Sequence, residues 1–230
     1  MRINTGVVMT VTLALAAFLG EPSEAQDGKL QLPPPALSGQ VSVEQSIAKK
    51  TTARNFSGIP LTLAQVSQLL WAANGKIAAV DAMTSATRVY PSAGGLYPLE
   101  VFLVVGQDKV ANVPAGVYQY DWQTHSLRLI SSGDNRTLLA SACFQQAWLA
   151  RAPALIVIGG IFQRTTAKYG NRGERYVVMD AGSSCQNVYL QAEALGLKAG
   201  VVGAFVDEQV RAVLKLPNEV YPFLVIAVGK

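Results

Sequence analysis

The sequence predicts an α+β fold on a mixed, largely antiparallel central sheet flanked by helices. Three observations carry that reading. Segments of helical period and segments of strand character intermix without a regular βαβ alternation. Residues 116–122 and 126–130 are strand-like runs separated by Gln123-Thr124-His125, the spacing of a hairpin. Residues 101–105, within a strand-like stretch from Leu99, and 154–159 are continuous apolar runs of strand length, as buried central strands are. Half of the 230 residues are hydrophobic and 15% are charged, a composition that supports a sizeable core and argues against wholesale disorder.

The elements follow in chain order. Residues 1–25 read as a signal peptide: Arg2 precedes an apolar run at 7–19 that is short for a bilayer span, and Ser23-Glu24-Ala25 offers a cut before Gln26. That reading implies a periplasmic or secreted protein with no membrane contact beyond the signal; the rival is an uncleaved anchor. Residues 26–41 form a Pro-rich tether, extended and weakly packed around Pro33-Pro34-Pro35. The main domain is 42–230. Ser42 with Gln45 and Thr62 with Gln65 are capping boxes, placing helices at about 43–50 and from 63 to Asn74-Gly75. Residues 77–95 form a long loop of the functional or mobile kind. Beyond the hairpin, Asp134 opens a helix to about 144, and 174–195 is the longest helical pattern, closed by Gly196. A short strand at 198–202, a helix from Asp207 to 214 and a last strand at 221–228 complete the chain.

The net charge of +4 is spread without a Lys/Arg block, so no nucleic-acid footprint is present. Two cysteines and one histidine make a zinc site unpromising, and no metal ligands are assigned. Cys143 and Cys185 could pair after export, but both sit in apolar, helix-like sequence and read as two small buried residues. His125 falls in the hairpin turn and reads as solvated, with no nucleophile motif nearby. Walker, Gly-x-Ser-x-Gly and dinucleotide fingerprints are absent.

Three segments carry chemistry. Lys49-Lys50-Thr51-Thr52-Ala53-Arg54 offers cations and hydroxyls that suit a phosphate, or a helix end whose cations complement the dipole. Residues 168–176 form a polar segment in which Lys168 and Tyr169 are potential proton-transfer groups, or an exposed loop. Residues 88–100 hold Pro91, Pro98 and Gly94-Gly95 ahead of an apolar strand. This is a rigid turn, or a loop with bare backbone for a flat ligand.

The order of these motifs resembles the nitroreductase-like flavoproteins, specifically the SagB-type (thiazole/oxazole oxidase-like) dehydrogenase branch. The residues that carry it are Thr52-Ala53-Arg54-Asn55-Phe56, Leu69-Leu70-Trp71-Ala72-Ala73-Asn74-Gly75, Pro91-Ser92-Ala93-Gly94-Gly95-Leu96-Tyr97-Pro98, Lys168-Tyr169-Gly170, Asp180-Ala181-Gly182 and Gly203-Ala204-Phe205. The resemblance runs over about 48–229. It implies a nitroreductase-like α+β fold, an FMN-dependent oxidoreductase working by ping-pong hydride transfer, and a homodimer with flavin at the subunit interface. It assigns Lys50, Thr52 and Arg54 to the FMN phosphate, Pro91, Ser92, Ala93 and Gly95 to the flavin loop, and Gly203 and Ala204 to the reactive edge. Lys168 and Tyr169 fall on the proton-handling pair of azoline-oxidising members. The implied partners are a small-molecule electron donor and acceptor. Alternatives are azoline dehydrogenation on a peptide and a flavin-binding module without turnover. Two departures stand out: Lys50-Thr51 replaces two basic residues, and Ser183 follows Gly182 where the branch often has histidine.

Overall fold

The computed structural model describes residues 28–77 and 87–230. The expected signal segment and residues 78–86 of the expected loop lie outside them. The strands are β1 (Lys29–Gln31), β2 (Leu99–Val105), β3 (Gly116–Asp121), β4 (Ser126–Ser132), β5 (Ala154–Gly160), β6 (Lys198–Val202) and β7 (Tyr221–Gly229). The helices are α1 (Val43–Lys49), α2 (Leu63–Asn74), α3 (Arg136–Ala142), α4 (Trp148–Arg151), α5 (Gln163–Tyr169), α6 (Arg172–Ala194) and α7 (Asp207–Leu214).

The strands form one sheet in the order β1-β4-β3-β2-β5-β7-β6. Every strand pairing is antiparallel, so the α+β expectation holds and the sheet is more uniform than expected. Parallel contacts are single bridges such as Thr52 to Ala199. Alternation along β2 sends Val101, Leu103 and Val105 into a core with Leu69 and Leu70 of α2 and Val177 and Val188 of α6. Phe102 and Val104 enter the opposite core with Leu139 of α3 and Val210 and Leu214 of α7. Helices therefore cover both faces, which is why β5, and β2 from Val101 onward, read as unbroken apolar runs.

Local chemistry explains the helix ends. In α1 and α2 both capping boxes close: Gln45 N donates to Ser42 Oγ at 3.2 Å, and Gln65 N donates to Thr62 Oγ1 at 3.1 Å. At the end of α2, Gly75 is extended rather than left-handed. A Cβ there would overlap the Trp71 side chain, whose indole N–H donates to Lys76 O at 3.0 Å. The long helix α6 ends as expected at Gly196, with φ 66°.

Three expectations are corrected. The Pro-rich stretch is not a weakly packed tether. Lys29–Gln31 pairs with β4, Leu32 is buried, and Gln68 of α2 hydrogen-bonds both N and O of Ala36. His125 is not solvated. It adopts φ 51° and is half-buried, with Tyr120 Oη 2.8 Å from Nδ1 and the Pro33 carbonyl 2.9 Å from Nε2. Ser67 Oγ donates to the same carbonyl at 2.6 Å, so histidine and serine clasp the strap that begins the fold. Residues 163–169, expected to be loop or unassigned, form α5. Gly173 lets α5 cross α6 closely, since a Cβ there would lie 2.7 Å from Thr166 N. Cys143 and Cys185 are both buried free thiols, and they enter opposite cores. Burial pushes these thiols up to about 12 and about 11, so neither is a reactive thiolate.

Candidate functional site

The sequence-marked residues gather into two groups, both built on α6. The first begins after α1. The Thr52 backbone bridges Ala199, and Ala53 N donates to Ala199 O at 2.8 Å, laying the 50–54 segment along β6. The approach is close: a Cβ on Gly200 would overlap the Ala53 carbonyl. Tyr189 of α6 pins this arrangement. Its hydroxyl accepts from Val201 N at 2.9 Å and donates to Thr52 Oγ1 at 3.4 Å, and Lys50 Nζ stands 5.8 Å from its ring centroid. Thr52 and Arg54 are exposed, and neither Lys50 nor Arg54 forms an ion pair among the described residues. The same strand then leads to Gly203 and Ala204, both exposed.

The second group is the 91–98 loop. Ala93–Gly95 forms a short 3-10 turn with Gly94 at φ 63° and Gly95 at φ 68°. Ser92 Oγ donates to Asp180 Oδ2 at 2.5 Å and accepts from Tyr97 N at 3.0 Å. Tyr90 and Tyr97 meet edge-to-face at 5.6 Å. Asp180 is 5% exposed, and burial pushes its carboxyl up to about 6 against the opposing pull of the Ser92 bond. The Lys168-Tyr169 pair ends α5 against this loop. A methyl group on Gly94 would come within 2.6 Å of the Tyr169 hydroxyl and 2.9 Å of Lys168 Nζ. Tyr169 is held edge-on by Tyr176 at 5.2 Å.

The structure thus joins Ser92, Gly94, Lys168 and Tyr169 in one group, and Lys50, Thr52 and the β6 strand leading to Gly203 and Ala204 in another. It does not join the two groups to each other. Asp180 and Tyr189 are nine residues apart on α6, roughly 13 Å along its axis and roughly half a turn around it. No hydrogen bond links the groups among the described residues. Sequence reasoning gave neither Asp180 nor Tyr189 a role. The only signal was the Asp180-Ala181-Gly182 motif, since both act through partners distant in sequence.

A family model described as the Nitroreductase family matches residues 47–230. The chain belongs to the nitroreductase family. Among its relatives is a Methanocaldococcus jannaschii protein provisionally named a nitroreductase, 39% identical over 191 residues, which cover 83% of this chain and 92% of the relative. The microcin B17-processing protein McbC of Escherichia coli is 32% identical over 145 residues, covering 62% of this chain and 53% of McbC. A solved structure from Ralstonia eutropha, also provisionally a nitroreductase, superposes with a TM-score of 0.73 at 28% identity, covering 89% of this chain and 90% of the other. The nitroreductase-like fold is therefore established, and the McbC match agrees with the SagB-type branch that the ordered motifs indicated. The chain is a nitroreductase-family oxidoreductase.

Proposed function

We propose that this oxidoreductase is exported, binds FMN and works as a homodimer in which each flavin site is completed by a second copy. The observation that carries the reading is the donor set at 50–54. The exposed Thr52 and Arg54 and the half-buried Lys50 stand beside a close-packed strand without an acidic partner among the described residues, which is the chemistry a phosphate requires. The separation of the two groups across α6 supports the dimer, because the 91–98 loop of one copy can complete the 50–54 group of another. Export rests on the 1–25 segment.

In this reading Lys50, Thr52 and Arg54 hold the phosphate. Pro91, Ser92, Ala93 and Gly95 wall the ring, with Ser92 fixed by Asp180. Backbone N–H groups at Gly203 and Ala204 favour negative charge at the polar edge of the ring. Lys168 Nζ and Tyr169 Oη, beside the Gly94 backbone, hold and move the substrate proton. FMN would supply the hydride chemistry, in a ping-pong cycle between a small-molecule donor and acceptor.

The test is an absorption spectrum of the purified protein before and after anaerobic NADPH or another donor. Flavin bands that bleach support the proposal. A colourless protein that refuses added FMN overturns it, and a yellow protein inert to every donor points to a flavin-binding module instead. The approach of Lys168 and Tyr169 to Gly94 favours a second reading, azoline dehydrogenation on a peptide. That reading requires oxidation of a thiazoline peptide to fall sharply in Lys168→Ala while flavin content stays unchanged.

A further inference from the structure

A cleft of about 630 Å³ opens between Gly95–Tyr97 of the loop and the β3–β4 hairpin, with Lys29 of β1 and Arg164 of α5 at its walls. Its charges do not balance. The two carboxylates in it are engaged: Asp121 takes Lys29 at 2.9 Å, and Glu100 takes Arg164 at 2.6 Å and Gln119 Nε2 at 2.9 Å. Two guanidiniums remain without a carboxylate among the described residues. Arg128 donates only to the neutral Gln119 side chain.

Arg88 is the more telling of the two. It is 5% exposed, and burial holds its guanidinium below the usual arginine range. Its Nη1 donates to the Asn74 carbonyl at 3.2 Å and to Asn74 Oδ1 at 2.6 Å. Its Nε is buried with no hydrogen-bond partner, and its Nη2 makes no hydrogen bond among the described residues. Nε has no exposed surface, so a ligand in the cleft meets Arg88 at Nη2, a charged donor suited to a carboxylate oxygen. The Trp122 ring lies 3.3 Å from the guanidinium carbon and the Tyr97 ring 5.5 Å, so aromatic faces offset part of the cost of this buried cation. The Asn74 bonds and the stacking account for one edge and the faces of Arg88. Among the described residues they leave Nη2 without a partner, and Arg128 at the same cleft without a carboxylate.

We propose that this cleft is a second ligand site that takes a planar aromatic carboxylate, its head on Arg88 and Arg128 and its ring along Tyr97 and Trp122. The site stands apart from the flavin assignment, although it borders the same loop through Gly95. A ligand there touches the loop that carries Ser92 and so adjoins the redox site without entering the 50–54 group.

The test is calorimetric titration of the purified protein with benzoate, its neutral analogue benzamide, and inorganic phosphate, with tryptophan fluorescence read in parallel. Saturable benzoate binding is expected, with benzamide and phosphate each at least about tenfold weaker, the scale of one charge-assisted hydrogen bond. Arg128→Gln, an exposed position, should weaken benzoate about tenfold on the same scale. Arg88→Lys keeps the charge but loses Nη2 and should also weaken it; if that variant does not fold, Arg128→Gln decides. Equal binding of benzamide, equal binding of phosphate, or no benzoate binding overturns the proposal. So does benzoate binding that shifts flavin absorbance yet is unchanged in Arg128→Gln, because that places the ligand elsewhere.

Discussion

The two sides of α6 are built differently. On the Asp180 side the loop is cross-linked: Ser92 bridges Asp180 and Tyr97 N, Tyr90 meets Tyr97 edge-to-face, and Thr87 N donates to the Tyr97 hydroxyl at 3.0 Å. On the Tyr189 side the backbone is fixed to β6, but Thr52 and Arg54 are exposed and Lys50 is only half-buried. One side is ordered before any ligand arrives, so a ligand there costs little further ordering. The other is left with charges that a ligand must neutralise. The pairing teaches that the 91–98 loop is fixed by the folded protein itself, whereas the cations at 50–54 keep their charge unpaired among the described residues.

The largest expected effect probes the ordered side. Asp180 has a folded pKa of about 6, above its ordinary 3.8. Its stabilising contribution is therefore present in full below about pH 4 and is lost as pH rises through about 6. Asp180→Asn should flatten that slope and stabilise the protein at pH 7–8 by up to about 3 kcal/mol, measured by urea denaturation across pH. A variant with an unchanged pH slope would break the distinction between the two sides.

Arg54→Ala comes next. It should weaken FMN binding by about 10- to 100-fold, the loss of about 1.5–3 kcal/mol from a charge-assisted hydrogen bond. The melting temperature without flavin should stay put, because Arg54 is exposed and unpaired among the described residues. A melting temperature that falls with it would mean the open side is structural after all.

Gly94→Ala should cost about 1–2 kcal/mol through its positive φ and should lower turnover by displacing Tyr169 and Lys168. Flavin content measured by absorbance should change less than turnover. The smallest effect belongs to the strap. Burial lowers the His125 pKa below 6.5, against the raising influence of the Pro33 carbonyl. Its contribution is present above pH 6.5 and is lost as pH falls through the lower folded value, opposite in sign to that of Asp180. His125→Gln should remove that acid-side loss in thermal melts taken from pH 7 to pH 5.

The central strands, the hairpin and both capping boxes were legible because their signals are local: apolar runs, a three-residue turn, and Ser or Thr three residues before Gln. β1 was not legible. Three residues carry no period, and Pro33-Pro34-Pro35 reads as a linker until Leu32 finds its core and Pro33 its clasp. α5 was hidden by polar composition and is held by its crossing at Gly173. The site divides the same way. Residue types at 50–54, 91–95 and 168–169 were readable, but their grouping was not. It depends on Asp180 meeting Ser92 across 88 residues and Tyr189 meeting Thr52 across 137.

The strap and the 50–54 segment share one further consequence. They lie at opposite borders of the sheet, β1 outside β4 and Thr52-Ala53 outside β6. Open borders invite strand-to-strand zippering between molecules, and each is here occupied by a short piece of the same chain. The cover is short on both sides, three residues of β1 on β4 and one bridge on β6, so it trims the bare border that another molecule could zip onto.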